Sequence, residues 1–494
     1  MQTIAHLAKK AFKRYPQRVA VKDEINEFTY EELRIRAYRL YWALKQIGLK
    51  KGDRIAILMS NRVEHIELDL AAAIGGFIKV PLNYRLHPKE VDYIIGNAEP
   101  KVLIGEEDLI DPLEKPNCQV VFIGDQYEEW LLAQYDLEPE IVSKEDDLFA
   151  IMYTSGTTGK PKGVMLSHRN IISGALSLAI VCEVTPEDTI GHVAPLTHGS
   201  NFLSHVSWIY GLTQVVFNKF DPSEFLNDIE KERVSVIFLV PTMVNLMFQD
   251  PNFDVKKLRH IKSINMAGSP IAASKLKQAI DTAGPIFVET YGQVEAPMVI
   301  TTMPRHELSS RLESCGAAGP FVEMKLVDND GNEVNSGEVG EVICKGPLVM
   351  QGYWRNAEAT ADTLRDGWLY TGDLGWADEK GYLHLVDRKK DVIISGGMNI
   401  YPREIEEILN KHDGIKETSV VGKHHDKWGE AVVAYCVLNE GCEVLEEELL
   451  QLCQDHLASF KKPKEIHIVK ELPKSSYGKI LKRELKNMDG GVAK

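Results

Sequence analysis

The chain has 494 residues, too many for one core, and at ~150 residues per domain it divides into about three structural units. Hydrophobic residues make up 44% and charged residues 26%, the balance of an ordinary soluble globular protein. A net charge of −15 argues against nucleic acid or an anionic membrane as the main partner. No apolar run reaches the ~18 residues that a membrane span requires. The seven cysteines are scattered without framework spacing, which fits reduced thiols and a cytoplasmic location.

In chain order, MQTIAHLAKKAFKRYP is basic and amphipathic, with Ile4, Leu7, Ala8, Ala11, Phe12 and Tyr15 on one face. It predicts a surface helix; a presequence would favour Arg and Ser over Lys. RIAILMS, FIKVPL, KVLIG, QVVFIG and VSVIFLVP read as strands alternating with helical stretches up to about residue 385. That alternation predicts α/β layers with largely parallel sheets. From about residue 310 the texture turns to short strands and glycine turns, VEMKLVDNDGNEV, GEVICKG and GWLYTGDLGWADEKGYLHLVD, a small antiparallel β unit. The charged run DRKKD, Asp387 to Asp391, closes it. Beyond lie VIISGGMNI, PREIEEILNKH, IKETSVVGKH, EAVVAYCVL and EEELLQLCQDHLASF, enough for a separate α+β domain of about a hundred residues.

The densest chemistry is YTSGTTGKPKG, Tyr153 to Gly163. Hydroxyls, glycines and two lysines in so short a span suit the wrapping of N–H, O–H and ammonium groups around a polyphosphate. LFAIMY, Leu148 to Tyr153, predicts a buried strand before it, and VMLSHRNIISGALSLAI predicts an amphipathic helix after it. A flexible linker is rarely flanked in this way. The segment is not a Walker loop, because Pro161 follows Lys160 where a hydroxyl is required. The chain has no G-x-G pair, no G-x-S-x-G and no H-E-x-x-H, so dehydrogenase, hydrolase and zincin readings lose their main support. His192, His198 and His205 match no standard zinc spacing.

Further segments belong with the glycine stretch. YGQVE (Tyr291 to Glu295) follows the apolar PIFVET, YTGD ends at Asp373, DRKKD comes next, and PKSSYGK ends at Lys479. Each alone is weak, since a lone Asp in a turn is usually a turn former. Together, in this order, they resemble the adenylate-forming superfamily of acyl-CoA synthetases, peptide-synthetase adenylation domains and beetle luciferases. The resemblance covers nearly the whole chain and is strongest to fatty- or aryl-acid CoA ligases. It implies a large AMP-binding domain, 1–389, and a small mobile C-terminal domain, 391–494, hinged at Lys390. It also implies ATP, Mg²⁺ and coenzyme A, with a small-molecule carboxylic acid as the partner. Assembly stays open, a homodimer included.

Residue by residue, the resemblance places Thr154, Ser155, Gly156, Thr157, Thr158, Gly159 and Lys162 around the β- and γ-phosphates. Glu295 holds Mg²⁺ as a hard oxygen ligand. Tyr291 and Gly292 lie near the adenine, with Gly268, Ser269 and Pro270 on the other side. Asp373 accepts from the ribose hydroxyls, and Arg388 contacts ribose or phosphate. Lys479 reaches the α-phosphate and carboxylate on its long stem. It joins Glu295 and His198, a gate beside the carboxylate, as a catalytic group. Gly396 and Gly397 border the pantetheine tunnel. Val294 departs from the pattern, because most relatives have a threonine there that bonds the α-phosphate.

Asn201, Phe202 and Ala296 line the acyl pocket in the same alignment. APLTHGSNF, Ala194 to Phe202, lacks the Asp with which amino-acid-activating domains hold an α-amino group. An acid without an amino group is expected: a fatty acid first, with an aryl acid or a non-CoA acceptor as the alternative. The large insertion of fatty-acyl-AMP ligases, which blocks CoA, is not apparent.

Overall fold

In a computed structural model, residues 2–114, 116–154, 160–474 and 480–488 are described. The chain divides into two compact units, residues 1–324 with 343–370 and residues 325–342 with 371–494. Residues 325–342 and 371–389, which the sequence expectation grouped with the large domain, therefore cluster with the C-terminal residues.

Two sheets organise the first unit. One has seven strands in the order Gly352–Tyr353, Lys162–Ser167, Leu148–Thr154, Ile78–Leu82, Arg54–Leu58, Val102–Gly105, Gln119–Phe122. The other has nine, running from Ala317–Ala318 through Ala296–Met303, Phe287–Gln293, Ser263–Met266, Val236–Leu239, Thr189–His192, Thr213–Val216 and Val19–Lys22 to Glu27–Thr29. Most pairings are parallel, as the apolar runs predicted. Strands such as Ile78–Leu82, Val102–Gly105 and Val236–Leu239 are buried at every residue, which explains runs without polar alternation.

Helices are buried with the sheets. Glu64–Gly75 is buried along its whole length, and His168–Val181 touches Lys162–Ser167 of one sheet and Ala296–Met303 of the other. The N-terminal helix Ile4–Arg14 buries Ile4, Ala8, Ala11 and Phe12, close to the face read from sequence.

One expectation is corrected at the glycine segment. It joins two antiparallel strands, Leu148–Thr154 and Lys162–Ser167, and does not pass directly from strand to helix. VMLS is strand, and the helix starts only at His168, where Ser167 and Asn170 form a reciprocal capping box. The following helix is buried around most of its circumference, so it is not amphipathic either.

The second unit is α+β. Residues 373–377 pair antiparallel with Leu383–Arg388. Farther on, Met398–Ile400, Ile393–Ser395, Gly429–Leu438 and Ile415–His425 form a sheet to which Glu465–Ile468 adds a parallel strand. Strand alternation feeds two cores. Val420, Val432, Ala434 and Cys436 pack with the helices Pro402–Leu409 and Glu446–His456, while Val421, Val433, Tyr435 and Val437 face Leu472 and Leu485. Among the described residues, no helix is long and apolar enough to cross a membrane.

The first unit also buries histidines, and this sets an acid limit. Desolvation pushes His65, His168 and His192 down to about 4, and His205 to about 3 despite the pull of Asp69. Below pH 6.5 the unfolded chain binds protons that the native state refuses, so stability falls as pH drops from 6.5 toward 4. By pH 5 each such histidine costs on the order of 2 kcal/mol. The thermal midpoint, followed by circular dichroism, is expected to fall steadily between pH 7 and pH 5. A flat profile there would show that these imidazoles take up protons without penalty.

Candidate active site

The hairpin that carries the glycine segment sets one wall of the site. Thr154 and Lys162 face each other in register where its strands end. Ser155, Gly156, Thr157, Thr158 and Gly159 lie outside the described residues. The Lys162 ammonium sits 4.9 Å from the ring centroid of Tyr353, and Lys160 sits 5.6 Å from that of Tyr93.

Tyr353 is a candidate site residue that sequence reasoning missed. The short strand Gly352–Tyr353 pairs antiparallel with the hairpin, Tyr353 opposite Val164, and Trp354 N–H donates to the Gly163 carbonyl at 2.7 Å. From there the Tyr353 hydroxyl donates to Glu295 Oε1 at 2.8 Å. Lys162, Tyr353 and Glu295 thus form one cluster. The only local signal was an aromatic pair, Tyr353–Trp354, just after a glycine.

Glu295 and Val294 form the two-residue turn between Phe287–Gln293 and Ala296–Met303, with Gln293 paired to Ala296. Met350 N–H donates to the Glu295 carbonyl at 2.8 Å, so backbone and carboxylate are both held by the same edge segment. The Tyr353 bond takes one of the carboxylate's ~four acceptor positions, leaving capacity for a hard cation. Among the described residues no three or more His, Cys, Asp or Glu gather as a metal cage. A Mg²⁺ bound here would therefore share its ligands with a triphosphate and water, the usual habit of that ion. Val294 is half-buried in this turn.

Tyr291 and Gly292 lie half-buried toward the end of Phe287–Gln293, whose parallel neighbour Ser263–Met266 runs into the exposed Gly268, Ser269 and Pro270. Both groups therefore sit at the carboxyl ends of adjacent parallel strands, Tyr291 and Gly292 among the last residues of one and Gly268 to Pro270 just past the other, where α/β sheets bind ligands.

The acid segment, Ala194 to Phe202, to which the resemblance assigns the acid, follows Thr189–His192. His198 is half-buried, with Nδ1 2.7 Å from Thr197 Oγ1. Desolvation, aided by the charge of Arg85, holds its imidazole below the ordinary histidine range, so it is neutral at pH 7. The helix Ser200–Tyr210 begins just beyond. Phe202 is buried against Gly174, and a Cβ on Gly199 would lie 3.2 Å from Phe238 Cζ and 3.3 Å from Met298 Sδ. Met298 has φ +70°, an uncommon conformation for a residue with a side chain. Ala296 is buried two residues before it. Asn201 is also buried, but its amide bonds Lys79 and Asp69.

The remaining candidates belong to the second unit. Asp373 stands opposite Arg388 in register, and Arg388 Nε donates to Asp373 Oδ1 at 2.7 Å. Gly372 N–H and Lys389 Nζ donate to the two oxygens of Glu341, at 3.1 and 2.9 Å. Lys390 is exposed in the short turn Lys389–Asp391. Gly396 and Gly397, at φ +59° and +82°, form the two-residue turn between Ile393–Ser395 and Met398–Ile400, which requires positive φ at both positions. Lys479 lies outside the described residues.

The comparisons with known proteins identify the family. A family model described as AMP-binding enzyme matches residues 8–354, and one described as AMP-binding enzyme C-terminal domain matches residues 404–479. A feruloyl-CoA synthase from Amycolatopsis sp is 34% identical over 480 residues, 96% of each chain. An indoleacetate–CoA ligase from Aromatoleum aromaticum is 32% identical over 494 residues, covering 96% of this chain and 95% of its own. Among solved structures, the o-succinylbenzoate CoA synthetase of Bacillus subtilis, in complex with an acyl-adenylate intermediate, superposes with a TM-score of 0.90 at 30% identity over 99% of each chain. The chain belongs to the AMP-binding enzyme family, the adenylate-forming superfamily expected from its motifs. Within that family it is an acid–thiol ligase of the AMP-forming acyl-CoA synthetase type.

The cluster at Glu295 yields a direct test. Tyr353→Phe removes a hydrogen bond to a charged group, worth ~1.5–3 kcal/mol, while keeping the ring under Lys162. ATP–pyrophosphate exchange is expected to slow by ~10-fold or more, with half-saturation by Mg²⁺ moving upward. Exchange at the wild-type rate over the full Mg²⁺ titration would remove Tyr353 from the site.

Proposed function

We propose that this acyl-CoA ligase activates an aromatic carboxylic acid, the alternative in the sequence reading, in preference to a fatty acid. The observation that carries the proposal is the set of flat and polarisable side chains around the acid segment. Phe202 packs closely on Gly174, and Phe238 and Met298 pack closely on Gly199, so that a Cβ at either glycine would press on these side chains. Stacking and sulfur–aromatic contacts of this kind favour an aryl group over a flexible chain. The names of three relatives point the same way, since feruloyl, indoleacetyl and o-succinylbenzoyl groups are all aromatic, although a fatty acid ligase is also among the relatives.

The enzyme uses ATP, Mg²⁺ and coenzyme A. A carboxylate is a poor acyl donor because oxide or hydroxide would have to leave. Attack of one carboxylate oxygen on the ATP α-phosphorus forms an acyl–phosphate bond and expels pyrophosphate. The thiol of coenzyme A then attacks the acyl carbon, AMP leaves, and the thiol proton goes to solvent. Lys162 and the hydroxyls of the glycine segment are assigned to the charge on the β- and γ-phosphates. Glu295, oriented by Tyr353, is assigned to Mg²⁺, which neutralises the triphosphate. His198, neutral at pH 7, is assigned to the acid carboxylate as a hydrogen-bond donor. Asp373 and Arg388 are assigned to the ribose, and Gly396 and Gly397 to the pantetheine. Lys390 is proposed as the pivot between the half-reactions. Val294 is placed beside the α-phosphate without a donor, so that contact depends on other groups.

Pyrophosphate release tests the substrate class. With ferulate, cinnamate, benzoate and indoleacetate set against C8 to C16 fatty acids, the aryl acids are expected to give the higher kcat/KM, with AMP release complete only when coenzyme A is present. A fatty acid at the head of the series would overturn the proposal. Gly199→Ala sharpens the test, because Gly199 has φ −54° and tolerates alanine. Its methyl group would press on Phe238 and Met298, so KM for the aryl acid is expected to rise ~10-fold, with the KM for ATP unchanged.

The assignment of Lys479 is tested by separating the half-reactions. Lys479→Ala is expected to abolish acyl-adenylate formation while sparing thioester formation from a supplied acyl-adenylate. Equal loss in both steps would contradict the division of labour.

A further inference from the structure

Four elements of the first unit meet at a buried charge pair to which the reaction described above gives no role. The Lys79 ammonium, on Ile78–Leu82, donates to Asp69 Oδ1 at 2.6 Å and to Asn201 Oδ1 at 2.9 Å. Asn201 closes the ring, donating from Nδ2 to Asp69 Oδ2 at 3.0 Å. Lys79, Asp69 and Asn201 are only 4%, 2% and 5% exposed. In such an interior each hydrogen bond is directional and costly to lose. Strand Leu148–Thr154 completes the set. Lys79 is in register with Ala150, and its ammonium lies 4.8 Å from the Phe149 ring centroid. That strand leads into the glycine segment, and Asn201 sits in the first turn of the helix that follows His198 and Gly199.

A buried ion pair is a weak source of stability, since apolar residues of similar volume often serve as well. What apolar residues do not supply is a fixed bond direction. Both members of this pair bond the same amide, that of the helix carrying the acid-binding side chains.

We propose that Lys79 and Asp69 are positioning residues. Through Asn201 they fix the depth of helix Ser200–Tyr210 against strand Leu148–Thr154, and so set the distance between the acid segment and the end of that strand at Thr154. The inference rests on the acid-activation reading above. That reaction needs such a constraint, because acid and ATP are held by different elements. The attacking oxygen must nevertheless come within ~3–3.5 Å of phosphorus in line with the leaving group.

The test pairs Asp69→Leu/Lys79→Met, which removes both charges and orphans neither, with Asn201→Leu. The probe is the aryl acid with the fastest pyrophosphate release in the screen above. Each variant is expected to raise KM for that acid at least tenfold and to slow single-turnover adenylation at least tenfold. KM for ATP should stay within twofold, and thioester formation from supplied acyl-adenylate within threefold. The triple variant should be no worse than the double, because both changes cut one linkage. A double variant with wild-type thermal midpoint, acid KM and adenylation rate overturns the proposal, and so does additive loss in the triple variant. If the wild type activates no acid, the acid-activation reading fails by itself, and hydrogen exchange decides the linkage. Faster exchange in the double variant, confined to residues 200–204, supports it, and unchanged exchange there refutes it.

Discussion

The site in the first unit depends on one hydrogen bond, from the Tyr353 hydroxyl to the Glu295 carboxylate. The glycine hairpin belongs to the seven-stranded sheet and the Glu295 turn to the nine-stranded sheet. The phosphate and cation roles proposed above draw on groups from both. The edge segment 347–354 supplies the connection: Trp354 and Gln351 bond the hairpin backbone, Met350 bonds the Glu295 carbonyl, and Asn170 on the buried helix holds the carbonyls of Pro347 and Val349. Tyr353 lies at the centre of this lacing. Its ring meets Lys162 and its hydroxyl meets Glu295, so one side chain fixes a cation and an anion relative to each other.

Much of the fold was legible because its strands are buried on both faces. Such strands must be continuous apolar runs, and RIAILMS, FIKVPL and VSVIFLVP need no tertiary information to be recognised. The hairpin after the glycine segment was misread for the same reason. VMLS is apolar and short, and a run of that length reads equally as strand or as the first turn of a helix. The deciding signal was Ser167, whose capping box with Asn170 marks the true helix start. The site motifs were legible where chemistry is concentrated in consecutive residues, as in YTSGTTGKPKG and YGQVE.

What stayed hidden depends on separation along the chain. Tyr353 and Glu295 are 58 residues apart, and Lys79 and Asn201 are 122 apart. Nothing local distinguishes Lys79 in FIKVPL from a lysine at a strand edge, since only the fold shows it fully buried. The resemblance placed Asn201 in the acyl pocket, and the structure shows its amide bonded to the buried Lys79 and Asp69. The grouping of residues 371–389 with the C-terminal unit was likewise invisible, because DRKKD marks a change in composition and packing follows the strand pairing of Asp373 with Arg388.

Strain and polarity in the acid region have a common logic. Met298 at φ +70° is an unfavourable conformation of order 1–3 kcal/mol that persists only when its surroundings over-determine it. Gly292 is part of that constraint: its Cα hydrogen lies where a Cβ would come within 2.8 Å of the Met298 nitrogen, so the β-bulge at Gly292 and the turned Met298 fit only each other. The result aims the thioether at Gly199. Across the same pocket wall, the helix bearing Phe202 is held by the Lys79–Asp69–Asn201 ring. One wall is therefore set by backbone strain and the other by a buried charge pair, both devices that fix direction more than they add stability. An enzyme that must align a small carboxylate with a phosphorus atom gains from such rigidity, because an apolar contact resists displacement but does not define an angle.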